Sequence, residues 1–198
     1  IKLLYMNKVI IILTIFLWIN PFLNGQEISD LVFSKEEWEL IDRVQEETFN
    51  YFWEAGEPVS GCARERFHMD NEYPVHDKDI ITIGGTGFGL MATIAAVERG
   101  YIKRKKAVER FEKVANWLQK ADRYHGAWSH WYFPDGKTYP FSRYDNGGDI
   151  VETAFLAQGL ISVRQYLLKG RKKEKKLAQL YDELWRGIDF QWYTKGEK

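Results

Sequence analysis

Apolar and polar positions alternate along this chain with a helical period, broken by two long stretches that have no period. Ser34-Lys35-Glu36-Glu37 has the pattern of a capping box, in which the Ser hydroxyl accepts from the Glu37 amide and the Glu37 carboxylate reaches back. Trp38, Ile41, Val44, Thr48, Phe49 and Phe52 then recur at helical spacing until Gly56-Glu57-Pro58 stops the helix. A charged stretch of roughly 25 residues, from Pro58 to about Ile83, reads as a loop, and loops of that length are usually functional or disordered. Gly84 to Gly100 is small and apolar on nearly every side (Gly85, Gly87, Gly89, Ala92, Ala95, Ala96), which predicts a helix buried all round. Lys103 to Asp122 is amphipathic, with Val108, Phe111, Val114, Ala115 and Leu118 on one face. A second long loop, Arg123 to Gly147, carries Trp128, Trp131, Tyr132, Phe133, Tyr139, Phe141 and Tyr144. Gly148 to Lys169 is again apolar on most faces, and Lys172 to about Tyr193 is amphipathic and charged outside.

No convincing period-2 strand and no short repeat stands out. Buried and amphipathic helices alternate, with the rich loops leading into the buried ones. That pattern predicts an all-α protein built as a two-layer helical toroid, inner helices shielded by outer ones. Five helices do not close such a ring, and the sequence stops just after an apolar helix face. The chain is therefore expected to be the N-terminal portion of a protein about twice as long, and a half ring would leave buried-type helices facing water.

Composition narrows the function. The 198 residues carry 28 Lys+Arg, 28 Asp+Glu, one Cys and 45% hydrophobic residues, which argues against disorder, a basic nucleic-acid domain and a disulfide-stapled miniprotein. The aromatic share of 16% exceeds what an ordinary core requires and leans towards a ligand face, although a large helical core could absorb much of it.

The first residues are read separately. Met6-Asn7-Lys8 followed by Val9 to Phe22 has the form of a secretory signal, broken by Pro21 and Asn24-Gly25, with Gly25 small enough for cleavage. The alternative is an uncleaved membrane anchor, but the apolar run meets Asn20-Pro21 before reaching the 20 or so residues a span requires. Residues 1–25 are thus expected to be a signal peptide, with Ile1 to Tyr5 as spurious leading residues, and 26–198 the exported part. Taking Lys2 and Lys8 from the 28 basic side chains leaves 26 against 28 acidic ones, a net of −2. That balance gives no electrostatic reason to seek nucleic acid or an anionic membrane. A monomer, periplasmic or secreted and not inserted in the membrane, is expected. The lone Cys62 cannot form an internal disulfide.

The densest chemical signal is Asp145-Asn146-Gly147-Gly148-Asp149-Ile150-Val151-Glu152. On a helix beginning near Gly148, Asp149 and Glu152 stand at i and i+3 with their carboxyls on one face. Two carboxylates so close cannot both ionise freely, so the pair holds its first proton to higher pH, as a proton donor for glycoside cleavage must. The competing reading is another capping box, Asp at the N-cap and Glu at N3. Gly126-Ala127-Trp128-Ser129-His130-Trp131 offers either platforms for sugar rings or a hydrophobic plug under a loop. Ala63-Arg64-Glu65-Arg66 offers two guanidinium forks and a carboxylate suited to vicinal hydroxyls, or a solvated charge run. His125 and His130 have no Cys or acid at metal-ligand spacing, so neither metal nor cofactor is expected. Ile83-Gly84-Gly85-Thr86-Gly87-Phe88-Gly89 lacks the G-x-G-x-x-G spacing and a Gly-Lys-Ser/Thr, and no Gly-x-Ser-x-Gly occurs.

Four segments together resemble the bacterial glycoamylase-like family, and within it the exported β-1,2-glucanases of glycoside hydrolase family 144. They are Pro58 to Arg66, Thr82 to Gly89, Ala121 to Trp128 and Asp145 to Phe155, and the resemblance spans roughly residues 38 to 198. It implies an (α/α)6 toroid, of which about five of twelve helices are present, hydrolysing a glucan chain in a central cleft, most plausibly a β-1,2-linked one. It also implies that Asp145, Asp149 and Glu152 line the cleft floor.

An inverting enzyme separates its acid and base by about 6.5–9.5 Å to leave room for a water. Neighbours at i and i+3 are closer, so Asp149 and Glu152 are not expected to be the pair, and one cluster member takes a single catalytic role with its partner beyond Lys198. The 198 residues alone are then expected to be inactive. Arg64, Glu65, Arg66, Trp128, His130, Trp131 and Asn146 are the candidate contacts to a polysaccharide or oligosaccharide substrate. Competing readings are a non-catalytic exported glycan-binding protein, and a lyase or transglycosylase on the same toroid.

Overall fold

The structure, a computed structural model, describes residues 33–73, 75 and 77–196. The expected signal segment, residues 1–25, lies outside the described residues. The chain divides into two compact units, Ile1–Asp42 and Arg43–Lys198.

Helix α1 spans Lys35–Trp53 and opens in the first unit. Its capping box forms as predicted: the Ser34 amide donates to the Glu37 carboxylate at 2.7 Å and the Glu37 amide to the Ser34 hydroxyl at 3.2 Å. Phe33 packs edge-on against Trp38 with ring centroids 5.0 Å apart, a hydrophobic contact bracketing the cap.

In the second unit α1 continues to Trp53. Of the stripe expected on this helix, only Phe49 is buried, whereas Trp38 and Val44 stay half exposed. Strand β1, Ile81–Thr82, leads into α2, Ile83–Arg99, which ends at Gly100 in the left-handed conformation (φ 82°). Then come α3, Arg104–Leu118; the short strands β2, Arg123–Tyr124, β3, Ala127–Trp128, β4, Trp131–Tyr132, and β5, Thr138–Tyr139; and helices α4, Ile150–Leu168, α5, Lys172–Arg186, and α6, Phe190–Tyr193.

The predicted class is observed. The protein is all-α, part of an (α/α)6 toroid: α2 and α4, apolar all round, pack on each other, and the amphipathic α3 and α5 cover them. The core between them holds Ile83, Leu90, Phe111, Leu118, Leu156, Leu160, Leu167 and Tyr181. Gly87 and Gly159 permit the tightest part of that contact. A Cβ on Gly87 would strike the Phe155 carbonyl oxygen, and one on Gly159 would come within 2.5 Å of the Gly87 carbonyl oxygen. Since position 84 of α2 faces 152 of α4 and 87 faces 155, the two helices run parallel with their N-termini side by side.

Two expectations need correction. Five strands of two residues each do form, in the order β1-β4-β5 and as the hairpin β2-β3. They are too short to show a period; tertiary pairing makes them, with Ile81 opposite Tyr132 and Thr82 opposite Trp131. Secondly, the last helix does not run unbroken to Tyr193. It stops at Arg186 because the chain must turn at Gly187 to dock on the β2-β3 hairpin, where the Asp189 amide donates to the His125 carbonyl at 3.1 Å. Asp189 then caps α6 by accepting from the Trp192 amide at 2.9 Å. Among the described residues no helix is long and apolar enough to cross a membrane.

Candidate active site

The N-termini of α2 and α4 emerge together, and the segment from Trp128 to Trp131 runs between them. Two backbone bonds fix it there: the Asp149 amide donates to the Trp128 carbonyl at 2.8 Å and the Ile83 amide to the His130 carbonyl at 3.2 Å. The Thr153 hydroxyl adds two side-chain bonds, accepting from the Trp128 amide at 2.9 Å and donating to its carbonyl at 3.1 Å. Main chain and a buried threonine thus hold His130 and Trp131 at the mouth of the helix pair.

Asp149 is the N-cap of α4. Its Oδ1 accepts from the Val151 and Glu152 amides at 2.8 and 3.0 Å, satisfying two of the donors a helix start leaves open. Its Oδ2 lies 3.0 Å from Nδ1 of His130, and Oδ2 of Asp145 lies 3.1 Å from the same nitrogen. With both acids as carboxylates each can only accept, and a hydrogen on Nδ1 then faces both of them. Asp145 reaches this position on a tight turn in which its amide donates to the Ser142 hydroxyl at 3.1 Å and its carbonyl accepts from the Phe141 amide at 3.0 Å.

Glu152 does not complete a capping box with Asp149, whose amide is taken by Trp128. Its Oε2 instead accepts from the Gly84 amide at 2.8 Å, across to the first turn of α2. Thr82, the N-cap of α2, makes no side-chain capping bond, so the carboxylate of another helix meets the positive end of this one. The two readings of Asp149 and Glu152 therefore merge: each carboxylate has a helix-start role and each lines the same mouth.

Aromatic rings extend from this group. His130 stacks on Phe141, centroids 4.1 Å apart and 9° from parallel, Trp131 meets Phe141 at 4.7 Å, and Tyr139 lies between Trp131 and Phe133 at 5.8 and 5.0 Å. Phe141 and Phe133 are exposed, Trp131 and Tyr139 half-buried. Phe141 and Tyr139 sat in the aromatic-rich loop of the sequence, but nothing local singled them out as neighbours of the acids. The Gly84 amide could not be anticipated either, being a backbone group brought in by helix pairing.

The remaining candidates fall in different places. Trp128 is corrected from platform to core: it is fully buried, its indole N–H donates to the Leu118 carbonyl at 3.2 Å, and the Arg123 guanidinium stacks on its ring at 3.9 Å. Burial holds the Arg123 pKa below its ordinary value, and its fork is bound to the Gly126 and Leu184 carbonyls. Arg64 is likewise corrected from substrate fork to loop lock, since it pairs with Asp79 at 3.0 Å, donates to the Ala55 carbonyl at 3.2 Å and keeps only 10% of its side chain exposed. Its backbone bridges Ile81, one strand over from Trp131. Arg66, 44% exposed, pairs with Glu65 and Asp77 at 2.9 and 3.1 Å and remains reachable from solvent. Asn146 is exposed on the loop beside Asp145.

The sequence expectation about metal rested on the lack of nearby acids. The fold supplies them: Nδ1 of His130 and one oxygen each from Asp145 and Asp149 lie within 4.8 Å of one another and could offer a cation three ligand atoms.

No family model matches the chain. It is 42% identical over 181 residues to an exo β-1,2-glucooligosaccharide sophorohydrolase (non-reducing end) of Parabacteroides distasonis, matching 89% of this chain and 24% of that protein. Among solved structures, an endo-β-1,2-glucanase from Chitinophaga pinensis, in complex with sophorotriose and glucose, superposes with a TM-score of 0.80 at 49% identity, over 84% of this chain and 40% of that one. Over most of its length the chain is similar to β-1,2-glucanases. A β-1,2-glucanase from Parabacteroides distasonis also superposes, with a TM-score of 0.73 at 43% identity, over 83% of this chain and 22% of that one. The chain thus spans about a quarter of the curated relative and about two fifths of the Chitinophaga β-1,2-glucanase.

Proposed function

We propose that the chain is part of an exported glycoside hydrolase that cleaves β-1,2-linked glucan with inversion. The observation that carries this is the convergence of Asp145, Asp149, Glu152 and an aromatic row at one pair of helix starts, in a chain 49% identical to an endo-β-1,2-glucanase. One member of the acid group serves as acid or base, and its partner across the cleft comes from elsewhere in the protein, because an inverting pair stands about 6.5–9.5 Å apart. Trp131, Phe141 and Tyr139 give sugar rings apolar faces, while Arg66, Glu65 and Asn146 supply polar contacts. Export draws on the signal-like pattern from Met6 to Gly25.

The test is reducing-end release by the protein encoded by the complete reading frame, offered β-1,2-, β-1,3-, β-1,4- and α-1,4-glucans. Release from the β-1,2 polymer alone supports the proposal. Release only from another linkage rejects the substrate, and no release from any rejects the hydrolase.

A second reading has one observation in its favour: Asp149 and Glu152 already have helix-start roles, so a non-catalytic glycan-binding protein could retain both. Such a protein would keep undiminished glycan affinity with Asp149→Asn and Glu152→Gln, and would release no reducing ends.

A further inference from the structure

Three carboxylates approach the mouth of the α2–α4 pair, but they are not held equally. Asp149 and Glu152 stand on a helix and are tied to helix amides. Asp145 stands on the turn after Phe141, four residues before the helix begins to hold the chain. The turn is closed by bonds among its own residues, Phe141, Ser142, Tyr144 and Asp145, which shape it without anchoring it to the helices.

We propose that His130 is the positioning residue that fixes Asp145 relative to Asp149. Its Nδ1 lies 3.1 Å from Oδ2 of Asp145 and 3.0 Å from Oδ2 of Asp149, so a single N–H draws the turn's carboxylate to the helix's. Two like charges brought this close would otherwise repel, and the imidazole between them offsets that repulsion. The ring cannot swing freely, because Phe141 covers one face at 4.1 Å and Trp131 meets it edge-on at 5.5 Å. Its backbone is equally fixed: the His130 carbonyl accepts from Ile83, and the next amide, that of Gly84, binds Glu152. Residue 130 is therefore connected to all three acids, to two through its ring and to the third through adjacent backbone. This role differs from contact with substrate, and its catalytic consequence rests on the hydrolase reading above.

The experiment compares His130→Phe, which keeps the stacked ring and removes the nitrogen, with His130→Gln, which restores an N–H donor. Each is made in the complete protein and assayed on β-1,2-glucan, and amide hydrogen exchange is followed over residues 141–147. A misplaced catalytic group can cost about a hundredfold in rate. His130→Phe is expected to lower kcat by about that factor with KM within about twofold, to speed exchange across 141–147, and to be partly rescued by His130→Gln. A raised KM with unchanged kcat would make His130 a substrate contact and overturn the proposal. So would unchanged exchange at 141–147, and this readout stands even if the wild-type protein hydrolyses no glucan. Loss of activity on chelation with recovery on adding a divalent cation would also overturn it, because the three groups would then be metal ligands.

Discussion

The Glu152 carboxylate of α4 accepts a hydrogen bond from the Gly84 amide of α2, 2.8 Å away and 68 positions earlier in the chain. This single bond joins the two inner helices at the end where the candidate site opens, and it uses a donor that α2's own N-cap leaves open. Gly84 has no room for a side chain there, since an added Cβ would meet the Glu152 carboxylate. Gly84→Ala should therefore push Glu152 aside. The obstructing atom is the end of a flexible side chain, and alanine favours the helix by up to about 1 kcal/mol, so stability should change little. Hydrolysis should fall at least about tenfold. A thermal melt beside a reducing-end assay separates the two effects.

Asp149→Asn and Glu152→Gln keep the oxygens that accept from the helix amides and remove only the charge. Asn is as good an N-cap as Asp, so the melting temperature of Asp149→Asn should stay close to that of the parent. Loss of a general acid or base costs about 10²–10⁴-fold in rate. A loss in that range in either variant would assign the role to that residue; two fully active variants would leave Asp145 as the cluster's catalytic member.

Two tryptophans three positions apart should separate stability from binding. Trp128 is fully buried, and Trp128→Ala should cost about 3–5 kcal/mol by chemical denaturation. Trp131 is half-buried in the aromatic row. Trp131→Ala should unfold at nearly the parental denaturant concentration while raising KM for glucan. The reverse pattern would mean the row is core packing.

Cys62 is fully buried, and burial pushes its thiol from 9.0 up to about 12. The native protein should not react with a thiol reagent at pH 8, and the unfolded protein should. The linkage has a definite sign. The folded state keeps the neutral thiol longer than the unfolded state, so this stability is whole below pH 9 and is lost as pH rises towards 12. Tyr132, raised by burial from 10.0 to about 12, acts in the same direction. Cys62→Ala should flatten part of the alkaline fall in a pH series of denaturation curves.

Much of this arrangement was legible in the sequence, and the parts that were not share a cause. The small-residue run from Gly84 and the apolar run from Ile150 announced buried helices, and Ser34-Lys35-Glu36-Glu37 announced a cap, because those signals are local. The β2-β3 hairpin was also written locally. His125 and Gly126 take positive φ values of 46° and 78°, a two-residue turn, yet strands of two residues left no period beside it. Trp128 and Trp131 look alike in the chain, and only the pairing of Thr82 with Trp131 and the anchoring of Trp128 by Thr153 assign one outward and one inward. His130 and Asp145 are 15 positions apart in a loop, so their meeting depends on where the helix starts hold the segment between them.

The backbone contact at Gly87 and Gly159 has a further consequence. Side chains in a core can repack and let neighbouring helices drift by fractions of an ångström, but here carbonyl oxygens and α-carbons abut directly. The offset of α2 against α4 is thus set by main-chain bulk, and with it the gap between Gly84 and Glu152. Substitutions under α3 or α5 can raise or lower the melting temperature while that gap stays constant. Robustness and reactivity would then be adjustable separately, with the two glycines acting as the gauge block between them.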